Sequence, residues 1–171
     1  MKMSVKLQLF LIYSYNIHMK IPNYDSNKQE SKKRSLNNFL NEVFRMMVSG
    51  QSNCGKTNTI MHMLRKPLMY YDKVYIYTPN THQEKMKDLQ TIMDSISSKV
   101  GYDIMEVKSQ DDIMDTCEYP SNNRKIVVFD DLVNAPERIQ NKIVNHFTDG
   151  RHHQISPIYI SVNPIMMYHK K

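Results

Sequence analysis

At 171 residues the chain is long enough for one domain with a buried core and too short for two of ordinary size. Its two cysteines, Cys54 and Cys117, exclude a disulfide-built scaffold and suit a reducing compartment. The formal charge of +6 is compatible with a polyanionic partner such as DNA without requiring one, and no run reaches the roughly 18 apolar residues of a bilayer-spanning helix.

Residues 1–40 read as an extension ahead of the domain. From Val5 to Ile17 the odd positions are Val5, Leu7, Leu9, Leu11, Tyr13, Tyr15 and Ile17, while the even ones include Lys6, Gln8, Ser14 and Asn16. That two-residue period predicts an added strand, a frayed extension upstream of the domain being the other reading. The same stretch lacks the small-residue cleavage pattern of a secretory leader, so the protein is not expected to be secreted. Ile21 to Asn38, with Lys28, Glu30, Lys32, Lys33 and Arg34, predicts a polar linker or short exposed helix.

The core is expected over 41–171. Phe44 to Val48 has the length and composition of a buried strand, and Ile60, Met63 and Leu64 recur at helical spacing downstream. Between them stands Gly50-Gln51-Ser52-Asn53-Cys54-Gly55-Lys56-Thr57, which reads G-x-x-x-x-G-K-T. Strand, glycine loop and helix are the order a phosphate-binding loop requires. Half of the chain's four glycines fall in this motif, which argues against coincidence. Gly50, Ser52, Asn53, Cys54, Gly55, Lys56 and Thr57 are therefore the expected cradle for the phosphates of ATP. Its backbone N–H groups point inward and the next helix adds its positive end. Lys56 is placed to reach the β- and γ-phosphates, and the Thr57 hydroxyl to hold Mg²⁺.

Pro67 is expected to close the first helix, and Lys73 to Tyr77 forms the next strand. Thr81 and Glu84 read as a capping box for a helix reaching about Ser97. Ile104 to Val107 is a short strand, after which Ser109 and Asp112 cap a brief helix carrying Ile113 and Met114. Lys125-Ile126-Val127-Val128-Phe129-Asp130-Asp131 is a continuous β-branched run, the pattern of a parallel strand covered on both faces. Asn134 is expected to cap the following helix, with Ile139, Ile143, Val144 and Phe147 on its buried face and Gly150 at its end. Ile158 to Val162 is a last strand, with Pro157 confined to its first position because proline cannot donate to a ladder.

Alternating strands and helices place the chain in the α/β class with a mainly parallel, doubly wound sheet. Ligands of such sheets bind beyond the carboxyl ends of the strands. Gly50–Thr57, Asp130, Asp131 and Asn163 all follow such an end and can converge on one nucleotide. Asp130 is the expected partner of Mg²⁺, and Asp131 is then free to orient or deprotonate the attacking water. A helix-capping or surface carboxylate is the other reading of Asp131. Asn163 can sense the γ-phosphate through its amide or be a turn residue before Pro164. Arg151, His152 and His153 precede their strand and so lie at the opposite end. If Arg151 touches nucleotide it is a neighbour's, in trans; a solvated or DNA-facing basic cluster is the alternative.

Four segments taken together, Gly-Gln-Ser-Asn-Cys-Gly-Lys-Thr, Lys-Pro-Leu-Met-Tyr-Tyr-Asp-Lys-Val-Tyr-Ile-Tyr, Lys-Ile-Val-Val-Phe-Asp-Asp and Gly-Arg-His-His-Gln-Ile-Ser-Pro-Ile-Tyr-Ile-Ser, resemble the genome-packaging ATPases of the FtsK/HerA superfamily. The nearest likeness is to those of large DNA viruses, virophages and Polinton-like elements, from about Phe44 to Val162. The resemblance implies a P-loop NTPase of the RecA/ASCE kind, a three-layer sandwich. It also implies a homo-oligomeric ring that drives double-stranded DNA into a capsid, with capsid protein as a further partner and no membrane. The expected location is the host-cell cytoplasm or viral factory, or the virion. Lys56, Thr57 and Asp130 match the family's nucleotide and magnesium positions, and Asp131 its water-activating carboxylate. Two departures stand out: Asn163 replaces a glutamine, and the family continues beyond this strand. In the family's strand order a further strand flanks the phosphate-loop strand, a place Val5 to Ile17 could take. Two other functions stay open: a truncated nucleotide-binding paralogue without motor activity, and a small nucleotide kinase. The kinase is disfavoured by the lack of an Arg-rich lid segment between Asp131 and Lys171.

Overall fold

The computed structural model describes residues 40, 43–65, 69 and 71–162. The expectations for Val5–Ile17, the linker up to Asn38, Pro67, Asn163 and Pro164 lie outside them. The described elements run β1 (Met46–Ser49), α1 (Lys56–Arg65), β2 (Lys73–Thr78), α2 (Glu84–Val100), β3 (Met105–Ser109), β4 (Lys125–Asp130), α3 (Glu137–Asp149) and β5 (Ile155–Ser161). Short 3-10 turns occupy Gln110–Asp112, Thr116–Glu118 and Gly150–His153.

All five strands are parallel, in the order β1-β5-β4-β2-β3. β5 thus lies between the phosphate-loop strand and the acidic strand. β4 is buried at every position, as its unbroken apolar run requires. Its alternate residues feed two cores. Ile126 and Val128 join Met46, Val48, Ile158 and Ile160 under Ile60 and Leu64 of α1 and Met86, Leu89 and Met93 of α2. Val127 and Phe129 join Tyr75, Tyr77 and Tyr159 under Ile139 and Ile143 of α3. Helices on both faces of one parallel sheet make the three-layer α/β sandwich that the sequence led us to expect.

Several local expectations are corrected. Thr81 and Glu84 form no capping box: α2 starts behind Gln83, whose side chain makes no cap bond, and the Asn80 side chain instead accepts from the His82 N–H at 3.1 Å. The helix passes Ser97 to Val100 and stops at Gly101, whose φ of 83° lets its N–H reach the Ser97 carbonyl. Ser109 caps only a 3-10 turn that ends before Ile113. Asn134 does not cap α3, which begins behind Pro136. On α3 the buried stripe is Ile139, Ile143 and His146, while Val144 is exposed.

Pro157 sits inside β5, at its third residue. Lys125 N–H donates to the Gln154 carbonyl and Asp131 N–H to that of Ile160, so the even residues of this stretch face β4; Gly50 N–H donates to Ser161, so the odd ones face β1. The Pro157 nitrogen therefore points towards β1, at a level below the first ladder pair, Met46 with Ile158. Proline removes no bond there.

Candidate nucleotide site

The short strand β1 ends at Ser49, and Gly50 N–H stays tied to β5 through the Ser161 carbonyl at 3.4 Å. Beyond it the chain turns through Asn53, whose φ is 59°, and Gly55, at 87°, before entering α1. Gly55 is glycine because that dihedral strains any side chain, and Asn tolerates the left-handed region better than most residues. Cys54 N–H closes the turn on the Gln51 carbonyl at 3.3 Å, so its donor serves the loop itself. The first N–H groups of α1 have no intrahelical acceptor and stand at its positive end. At the loop's centre, the Lys56 ammonium donates to the carbonyls of Gly50 and Gln51, each at 2.8 Å. A compact cation with three donors is thus already held within the nest.

β4 delivers the second half of the site. Asp130, the last residue of the strand, has the even parity that faces α1, and the Thr57 hydroxyl donates to its carboxylate at 3.2 and 3.4 Å. The contact joins residues far apart in sequence because β4 and β1 both end on the same side of the sheet, one strand apart. Two hard oxygens side by side next to a cationic nest suit Mg²⁺, which needs only one or two protein oxygens when phosphates and water complete its shell. No cluster of three or more His, Cys, Asp or Glu that could hold a metal ion occurs among the described residues.

Asp131 follows with φ 59° and is exposed. Its N–H donates to the Ile160 carbonyl at 3.2 Å, which ends the ladder and turns the chain off the sheet. Arg151 is exposed in the turn before β5, at the amino end of a strand whose carboxyl end serves the loop. Seven residues of β5 separate the two levels, about 20 Å. His153 pairs with Asp149 at 3.2 Å, which occupies it within its own turn. Lys56, Thr57 and Asp130 are thus brought together, Asp131 is adjacent, and Arg151 is remote; Asn163 lies outside the described residues.

A residue the sequence reading passed over is Gln140 of α3, whose amide donates to the carbonyls of Leu132 at 2.6 Å and Val133 at 3.3 Å. The signal was only its position one helical turn after Pro136, which does not reveal a partner in the preceding loop. No helix among the described residues is long and apolar enough to cross a membrane.

A comparison with curated proteins found no match. Among solved structures, the chain is similar to EssC (ATPases 2 and 3) from Geobacillus thermodenitrificans, at 16% identity and a TM-score of 0.40 over 74% of this chain. It spans 30% of that protein chain. A sequence model of the poxvirus A32 protein family matches residues 31–163. That match covers all five described strands, and the chain belongs to the poxvirus A32 family of FtsK/HerA-like packaging ATPases.

Proposed function

We propose that this chain binds ATP with Mg²⁺ and hydrolyses it as one subunit of a homo-oligomeric ring that moves double-stranded viral DNA towards a capsid. The observation that supports this most is the contact between Thr57 and Asp130 beside the nest that encloses Lys56. Lys56 leaves its two loop carbonyls to meet the phosphates, neutralising charge that grows on them as the bond to the γ-phosphate breaks. Thr57 and Asp130 would hold Mg²⁺, which supplies charge neutralisation across the phosphate oxygens when bound. Asp131 orients the attacking water and accepts its proton. In this reading Arg151 serves the neighbouring subunit's site, and Asn163 reports on the γ-phosphate.

The test is ATP turnover with and without double-stranded DNA. Wild type is expected to turn over ATP faster with DNA. Lys56→Ala and Asp130→Asn should each lower kcat by about a hundredfold or more while the fold survives. Nucleotide binding by wild type without any turnover would overturn the motor reading in favour of a binding-only protein.

A further inference from the structure

The exposed Asp131 has a left-handed backbone, φ 59°, a conformation that aspartate enters more readily than most residues, so the turn has still to be held in place. Its neighbours hold it from two sides. On the β5 side, its N–H donates to the Ile160 carbonyl. On the α3 side, Leu132 is buried in the core under that helix, and Gln140 donates to two successive carbonyls, Leu132 and Val133. The Gln140 amide therefore ties the turn after the acidic strand to α3, and the Asp131 N–H ties it to β5.

We propose that Gln140 is a positioning residue of the nucleotide site: by holding the Leu132 and Val133 carbonyls it fixes the turn that aims the Asp131 carboxylate. The inference rests on Asp131 acting on the attacking water. It separates Gln140 from a plain loop staple, because a staple affects how much protein is folded while an aiming device affects the rate of each folded molecule. The phosphate loop is not touched by Gln140, so nucleotide affinity is independent of it.

The experiment compares wild type with Gln140→Met, which keeps length and loses the N–H donors, and Gln140→Asn, which keeps the donors on an arm one methylene shorter. Measured are ATP affinity, kcat per folded molecule and amide exchange across residues 131–135. Gln140→Met is expected to bind ATP within about twofold of wild type while kcat falls about 10- to 100-fold. Its Asp131 amide should also exchange faster while β4 and α1 stay protected. Gln140→Asn, too short to hold both carbonyls, should move the same quantities in the same direction, and it decides the matter if Gln140→Met does not fold. Unchanged kcat in the folded variants, whether or not their melting temperature drops, overturns the proposal and leaves hydrolysis by the site intact. A wild type that binds ATP and never turns it over defeats the hydrolysis reading itself, and this inference with it.

Discussion

Gly50 illustrates how tightly the loop is built around small atoms. A Cβ placed there would lie 2.8 Å from the Cys54 Sγ, and the next neighbour, Lys56 Cδ, is 3.8 Å away. The obstacle is therefore one side chain, and its removal should cure the defect. Gly50→Ala alone is expected to push Cys54 aside, disturb the turn and weaken ATP binding about tenfold, or about 1.4 kcal/mol. In a Cys54→Ala background the same change should cost little, so the two substitutions couple. Titration of ATP into the four proteins checks this, and simple additivity would show that the clash is not what glycine avoids. Gly55 differs: nothing lies near its absent Cβ, and its φ of 87° alone strains a side chain there. The motif was legible because both constraints reduce to residue type at fixed spacing. The clamp by Gln140 was not, since a glutamine on a helix surface has no residue-level mark of what its amide reaches.

α3 shows what an element adds. Ile139, Ile143 and His146 fall on one stripe at helical spacing, so His146 is buried even though it is polar and the exposed Val144 is apolar. The sequence reading followed residue class where the period should have ruled. The histidine is accommodated by an oriented chain. Its Nδ1 lies 2.7 Å from the Lys142 carbonyl, which can only accept, so Nδ1 bears the proton and Nε2 accepts from the Tyr119 hydroxyl at 3.0 Å. Tyr119 then accepts from Tyr77 at 3.0 Å, and Tyr77 from the Met114 N–H at 3.5 Å. Burial pushes the His146 imidazole below its ordinary value. The unfolded chain therefore takes up a proton that the folded chain resists. The stability this site contributes is complete above the unfolded value, about 6.5, and is lost as pH falls from there through the folded value. Urea unfolding at about pH 7.5 and 5.5 should show that loss in wild type and a flatter dependence in His146→Gln. Tyr119→Phe strands the imidazole acceptor and should cost about 1–3 kcal/mol at the higher pH. Equal pH slopes in wild type and His146→Gln would show that the histidine is not the titrating group. Helix starts were the poorest reading of all. Thr81 and Asn134 had the right chemistry for caps, but where a chain leaves a sheet is set by tertiary packing, which placed Gln83 and Pro136 at those positions.

At the scale of the molecule, a fully parallel sheet has two unlike ends. The phosphate loop and both aspartates occupy the carboxyl end; Arg151 occupies the other, and β5 fixes their separation. This polarity was legible because alternating strands and helices can only build parallel neighbours, and the end each loop occupies follows from chain order. The order β1-β5-β4-β2-β3 was not, as pairing depends on packing across the whole sheet. An arginine about 20 Å from its own subunit's site can act on phosphate only if a neighbour is rotated so that unlike ends meet, the heterologous contact that closes into rings. Such a contact divides one site between two chains. Arg151→Ala should then lose turnover and keep ATP binding, while Lys56→Ala loses turnover through the nest. Mixed together, the two inactive proteins should regain activity, because a subunit with Lys56 intact can sit beside one with Arg151 intact. Random mixing in equal parts restores about a quarter of the sites. Arg151→Lys should rescue poorly, a point charge being unable to meet two phosphate oxygens as a guanidinium does. Turnover by the mixture no higher than by either protein alone, with assembly shown intact, would return Arg151 to the solvated or DNA-facing surface.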